Sequence, residues 1–145
     1  MDAIKVKRLR ENAILPTYGS AEAAGADLYA CLDNDIVIAP GQSAFVPTGL
    51  SMEIPKGCAG LIYARSGLAC KRGLAPANKV GVIDSDYRGE FMVVLYNHGE
   101  QEQRIGHGER IAQLVITPIL TPAYEETDDL SDTQRSSGGF GSTGK

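Results

Sequence analysis

Apolar residues come only in short runs in this chain, because 17 glycines and 7 prolines punctuate its 145 residues. Leu50, Met52 and Ile54 alternate with Ser51 and Glu53, the period-two pattern of a half-buried strand. Ile36–Ile38, Leu61–Ala64, Lys79–Ile83, Phe91–Tyr96 and Ile111–Thr117 are further strand candidates. They are rich in Val, Ile, Tyr and Phe, and turn residues separate them at about the spacing of an all-β sandwich or barrel. Helical periodicity is nearly absent. The exception is Ser66–Gly73, where the pattern predicts a short helix with Ser66 as N-cap and Gly73 at the C′ position. An all-β domain with one small helix is expected.

Composition narrows the function classes. The length suits one domain, and 43% hydrophobic with 22% charged residues is ordinary for a soluble globular protein. A formal net charge of -4 gives no broad attraction to nucleic acid or to an anionic membrane, and neither is expected as a partner. An anionic ligand must instead be held by locally placed Arg, by backbone N–H groups or by a metal. No stretch approaches the ~18 apolar residues of a membrane span, and the charged start Met1–Arg8 carries no apolar signal core. Cys31, Cys58 and Cys70 lack metal-ligand spacing, so a reduced, cytoplasmic protein is expected. The character changes after residue 124. Glu125, Glu126, Asp128, Asp129 and Asp132 form an acidic run, followed by a Gly/Ser-rich stretch in which only Leu130 and Phe140 could bury much apolar surface. Residues 125–145 are therefore expected to be a flexible tail on a domain spanning residues 1–124.

Several segments could carry chemistry. Gly139–Lys145 fits the first seven places of the phosphate-loop pattern, but its Ser/Thr position and following helix are missing, so a Walker-type NTPase is not expected. Such a strip can still lay N–H groups and hydroxyls on phosphate, with Arg135 adding charge, although alone it suits a disordered tail. Tyr63-Ala64-Arg65-Ser66-Gly67 joins a strand to the helix start, where free N–H groups beside an Arg suit an anion. An ordinary N-cap with a surface Arg is the plain alternative. Asn78–Glu90 is the densest polar segment. Asp84 follows Val82 and Ile83 at a strand end, where a carboxylate can be held rigidly against a pocket; on an extended chain Asp86 shares its face. A polar hairpin turn, encouraged by Gly89, is the alternative. Asp27 and Gln113 are polar residues inside apolar runs and, taken singly, suit satisfied structural groups better than ligands. His98 and His107 carry no pattern of their own.

Together these segments resemble the five motifs of the trimeric dUTPase family, in order and over essentially the whole chain. They are Ala24–Leu28, Ala64–Gly67, Gly81–Gly89, Gly108–Leu114 and Arg135–Gly144. Ala26 stands where an aromatic or aliphatic residue is common, and Ala64 where Pro is frequent; neither departure removes a reacting group. The resemblance implies a distorted jelly-roll β-barrel and a homotrimer with three active sites at subunit junctions. It implies Mg²⁺-dependent hydrolysis of dUTP to dUMP and pyrophosphate, lowering dUTP and supplying dUMP for thymidylate synthesis. Under it, Asp84 is the general base for a water attacking the α-phosphorus. Arg65, Ser66, Gly67 and Gln113 hold phosphates, and Asp27 binds an Mg²⁺ through water. Asn78, Gly81, Val82 and Ile83 read uracil, Tyr87 lies on the deoxyribose, and Met92 is a neighbour of the substrate. The C-terminal arm closes over a site with Arg135, Phe140, Gly141, Ser142 and Thr143. The competing expectations are a dCTP deaminase-like enzyme, which lacks the Tyr-bearing third motif and this tail, a non-catalytic nucleotide sensor, and a plain trimeric β-module.

Overall fold

Turn residues set where the strands stop. A computed structural model of the chain describes residues 3–139. In chain order its elements are β1 (Val6–Arg8), β2 (Thr17–Tyr18), β3 (Ala26–Tyr29), β4 (Ile36–Ile38), β5 (Ser43–Pro47), β6 (Leu50–Met52) and β7 (Cys58–Tyr63). Then come α1 (Ser66–Arg72), β8 (Leu74–Pro76), β9 (Gly81–Ile83), β10 (Met92–Asn97), β11 (Gln103–Ile105) and β12 (Arg110–Pro118). Gly49 makes the tight β5–β6 connection at φ 68°, and a Cβ there would lie 2.8 Å from the Cys31 sulfur, so both backbone and space require glycine.

All pairings are antiparallel. The described strands form a five-stranded sheet in the order β2-β3-β12-β7-β9, a three-stranded sheet β5-β10-β8, and the pairs β1-β6 and β11-β4. They do not close into one continuous barrel. Phe91, Leu28, Ile38, Leu50, Leu74, Leu95, Ile105 and Ile111 fill the space between them. Each such side chain contributes about 1.5–3 kcal/mol by leaving water. In β3 the alternation is clean: Ala26 and Leu28 face this core, while Asp27 and Tyr29 point to the outer face.

Two local expectations need correction. Arg65, not Ser66, is the N-cap of α1, at φ -90° and ψ 128°, with no side-chain capping bond. Its guanidinium is engaged elsewhere, and Ser66 is already inside the first turn. Gly73 does end the helix in the left-handed conformation, its N–H reaching the Leu68 and Ala69 carbonyls. Ser51 does not face solvent as the alternation suggests. It is only 6% exposed, between buried Leu50 and Met52.

Beyond β12 no helix or strand forms through residue 139, and Leu120, Tyr124 and Leu130 are exposed. Phe140, Gly141, Ser142 and Thr143 lie outside the described residues. Among the described residues no helix is long and apolar enough to cross a membrane.

Candidate active site

One cluster forms at the Tyr63 end of the five-stranded sheet. Register puts Asp27 of β3 opposite Gln113 of β12, and Gln113 opposite Tyr63 of β7. Directly opposed residues share a face, so these side chains form a row on the outside of the sheet. Arg65 follows β7 and turns back onto the row: its Nε donates to Asp27 Oδ1 at 2.7 Å, with side chains 24% and 14% exposed. Arg110 Nη1 donates to the other oxygen, Oδ2, at 3.4 Å. Gln113 Nε2 donates to the Ala64 carbonyl at 2.9 Å. Gly25 packs so closely on that amide that a Cβ would lie 2.7 Å from Gln113 Oε1. Three polar side chains are thus held without freedom to swing. Beside them an open, mainly basic hollow is lined by Arg65, Lys71, Arg72 and Arg110 with Gly67 and Glu109, whose carboxylate is paired to Arg72, and the first turn of α1 holds no acidic residue to repel an anion. Fixed guanidiniums at a helix start suit phosphate.

A second cluster surrounds β9. Among the described residues this strand is the terminal strand of its sheet and pairs only with β7, which leaves the N–H and C=O groups of its other edge without a strand partner there. That edge borders an open cleft of about 330 Å³ lined by Asn78, Gly81, Val82, Ile83, Asp84, Tyr87 and Met92, with Phe45, Glu90 and Phe91. The size is in the range of small-molecule sites. Asp84 is exposed at its rim. The extended geometry that would give Asp86 the same face as Asp84 is not found. The chain turns here, Tyr87 N–H donating to the Asp84 carbonyl at 3.2 Å. Tyr87 folds over its own backbone, its hydroxyl donating to the Glu90 carbonyl at 3.0 Å and its ring 6.2 Å from that of Phe91.

The two clusters do not meet within one chain. Ile83 pairs with Gly60, so Asp84 lies at the Cys58 end of β7, whereas Arg65 follows the Tyr63 end. Continued by one residue, the register sets Asp84 opposite Ala59, six positions before Arg65, about 20 Å at ~3.3 Å per residue. Arg135 lines neither hollow; its Nε donates to the nearby Gly138 carbonyl. Among the described residues no three or more His, Cys, Asp or Glu side chains gather as a metal cage.

Sequence reasoning missed Arg110, Glu90, Phe45 and Phe91. Arg110 reaches a partner 83 positions away, which no local pattern announces. Phe45 carries no sequence signal of its own; only the fold shows it 66% exposed on β5, at the cleft.

A sequence model of the dUTPase family matches residues 11–144. A deoxyuridine 5'-triphosphate nucleotidohydrolase of Syntrophotalea carbinolica is 48% identical over 141 residues, covering 97% of this chain and 96% of the relative. Its namesake in Hydrogenobaculum sp. is 50% identical over 139 residues, with 96% of each chain covered. The Staphylococcus bacteriophage 80alpha dUTPase, solved with dUPNHPP, superposes with a TM-score of 0.91 at 30% identity over 100% of both chains. A variant dUTPase from phage phi11 of S. aureus, solved with a structural Mg(II) ion, gives a TM-score of 0.79 at 26% identity, covering 88% of this chain and 98% of that one.

Proposed function

The chain belongs to the dUTPase family, and on that premise we propose how its residues divide the hydrolysis of dUTP to dUMP and pyrophosphate. Asp84 accepts a proton from the water that attacks the α-phosphorus, and pyrophosphate leaves. The observation that carries this reading is the hydrogen-bonded turn that sets Asp84 at the rim of a cleft bordered by an edge strand. That edge suits uracil: a backbone N–H can donate to O4 and a backbone C=O can accept from N3–H, whereas cytosine presents the reverse pattern. A mismatched base leaves buried polar groups unpaired, which discriminates strongly. Asn78, Gly81, Val82 and Ile83 supply this edge, and Met92 borders it. Tyr87 lies against the deoxyribose and leaves no room for a 2′-hydroxyl.

Arg65, Ser66, Gly67 and Gln113 take the phosphates, joined by Arg110. The residues present fit Mg²⁺ carried on the triphosphate: Glu109 is paired to Arg72, while Asp27 places a carboxylate beside the guanidiniums with lone pairs left on each oxygen. When bound, the metal neutralises phosphate charge that an acidic protein would otherwise repel. Asp27 touches its waters.

A general base must come within about 3 Å of the proton it takes, or one water away, while an Arg must touch the same triphosphate. The roughly 20 Å between Asp84 and Arg65 in one chain exceeds that reach. This supports a homotrimer in which one copy's Asp84 cleft faces another's Arg65 cluster. The β-domain of residues 1–124 provides both, and the arm of residues 125–145 closes over a site with Arg135, Phe140, Gly141, Ser142 and Thr143. Free thiols at Cys31, Cys58 and Cys70 suit the reducing cytoplasm.

Incubation with dUTP, dCTP, dTTP and UTP plus Mg²⁺, with product identification, tests this. dUTP alone is expected to give a monophosphate and pyrophosphate at an appreciable rate. Release of ammonia from dCTP would point to the deaminase alternative, and binding without products to a sensor. Asp84→Asn keeps the shape but cannot accept the proton, so turnover should fall about 10²–10⁴-fold while dUTP still binds. Near-normal turnover would pass the role to another group, Asp86 first.

A further inference from the structure

The turn that carries Asp84 and Tyr87 is fastened to the β5–β6 connection at two places, and the two fastenings differ in kind. At the far end, Phe91 N–H donates to the Leu50 carbonyl at 2.8 Å, and the Phe91 carbonyl accepts from Thr48 N–H at 3.3 Å and Thr48 Oγ1 at 2.6 Å. Gly49 N–H adds a bond to the Glu90 carboxylate at 2.8 Å. This end rests largely on backbone groups. At the near end, one residue after Tyr87, the Arg88 carbonyl takes a single hydrogen bond from the described residues, from Ser51 Oγ at 2.8 Å. Ser51 is 6% exposed, in a hollow that it lines with Lys5, Lys7, Glu53 and Arg88, and the carbonyl bond satisfies its hydroxyl where water has little access.

Tyr87 rests on both ends: its hydroxyl and ring meet Glu90 and Phe91 at the far end, while its own backbone runs directly into the Ser51-held Arg88 at the near one. Its phenol lies over residues 88–90 of its own chain, with the hydroxyl bonded to the Glu90 carbonyl. A Cβ on Gly89 would come within 2.3 Å of the phenolic oxygen. The height of the ring above the cleft is therefore set by where the 88–90 backbone sits. The Arg88 side chain does not fix that height, because Arg88 Nη1 bonds only within the turn, to the Ser85 and Tyr87 carbonyls.

We propose that Ser51 is a positioning residue for sugar selection: its buried hydroxyl, through the Arg88 carbonyl, fixes the Tyr87 ring at the height that excludes a 2′-hydroxyl. The proposal rests on the reading of Tyr87 as the group against the deoxyribose. Ser51 touches no substrate. It acts through the turn, holding the backbone next to Tyr87 at a point where the bonds to Glu90 and Phe91 do not reach.

The test compares kcat/KM for dUTP and UTP in the intact protein and in Tyr87→Ala, Ser51→Ala, Ser51→Thr and Met52→Ala. Tyr87→Ala should lower the dUTP/UTP ratio. Ser51→Ala should lower it in the same direction by roughly three- to tenfold, the range one hydrogen bond carries. Ser51→Thr, which keeps a hydroxyl, should restore most of the ratio. Met52→Ala removes a buried neighbour on β6 that makes no bond to the turn, so it should lower thermal stability and leave the ratio alone. A ratio unchanged in Ser51→Ala while Tyr87→Ala lowers it overturns the role of Ser51 and leaves Tyr87 standing. An unchanged ratio in Tyr87→Ala removes both. A ratio lowered equally by Met52→Ala overturns the proposal too, because general loosening would then be enough. Should Ser51→Ala not fold, the ratio in Ser51→Thr decides: a loss with the hydroxyl present counts against the proposal, and retention supports it.

Discussion

Asp84 and Arg65 stand at opposite ends of β7, about 20 Å apart along the strand, with Asp84 reached through the β7–β9 register and Arg65 directly following Tyr63. Under the proposed function, a triphosphate touched by both takes them from different copies. Two partly disabled chains should therefore repair one another. One carries Asp84→Asn with Arg65 intact, and the other keeps Asp84 but carries Arg65→Ala. Each alone should be nearly inactive. Unfolded together and refolded, they should recover activity up to the fraction of sites that random assembly supplies with a good Asp84 and a good Arg65. Mixing without refolding is the control and should recover little if copies exchange slowly. Mixed assemblies that form and stay as inactive as their parents would show that each chain completes its own site.

Gly89→Ala tests the placement of Tyr87 without touching the ring. Gly89 is not among the glycines at positive φ, so its backbone accepts alanine without strain. The new methyl would instead lie 2.3 Å from the Tyr87 hydroxyl oxygen and 2.5 Å from Cζ. The phenol, already 45% exposed, must swing out. Stability should fall modestly, by about 1 kcal/mol, as the half-buried ring leaves Phe91 and the Glu90 carbonyl. The KM for dUTP should rise and the preference for dUTP over UTP should fall. Kinetics indistinguishable from the unmodified protein would mean that the ring adopts a different position during turnover.

What was legible in the sequence follows from the range of the forces involved. Asp84 could be placed at a strand end because Val82 and Ile83 before it and the polar residues after it are local signals, and β9 does stop at Ile83. Gly73 as the helix stop is equally local. Ser51 was not legible. Its neighbours mark it as an outward-facing polar residue, and only the Arg88 carbonyl, 37 positions away, explains its burial. Arg65 as N-cap was missed for the same reason, because Asp27, 38 positions away, takes its side chain. The five-stranded sheet depends on β3 and β7 meeting β12 across most of the chain length. Strand periodicity gives the face of each residue but not its partner.

Asp27 offers the sharpest separation of two roles at one residue. Its oxygens accept from Arg65 Nε and Arg110 Nη1, which makes it an anchor for the guanidiniums proposed to hold phosphate. In the proposed enzyme it also touches waters of Mg²⁺. Asp27→Asn keeps the volume, removes the charge and turns an amide N–H₂ toward one guanidinium. The half-buried Arg65 then loses a charged acceptor, and urea unfolding should show a loss of about 1–3 kcal/mol. The KM for dUTP should rise at every Mg²⁺ concentration, because Arg65 and Arg110 are no longer held toward the phosphates. The Mg²⁺ concentration that gives half-maximal activity separates the roles. It should rise several-fold if Asp27 also holds the metal's waters. If it stays where it was while KM rises, Asp27 is an anchor alone, and the Mg²⁺ is carried by the triphosphate without help from this carboxylate.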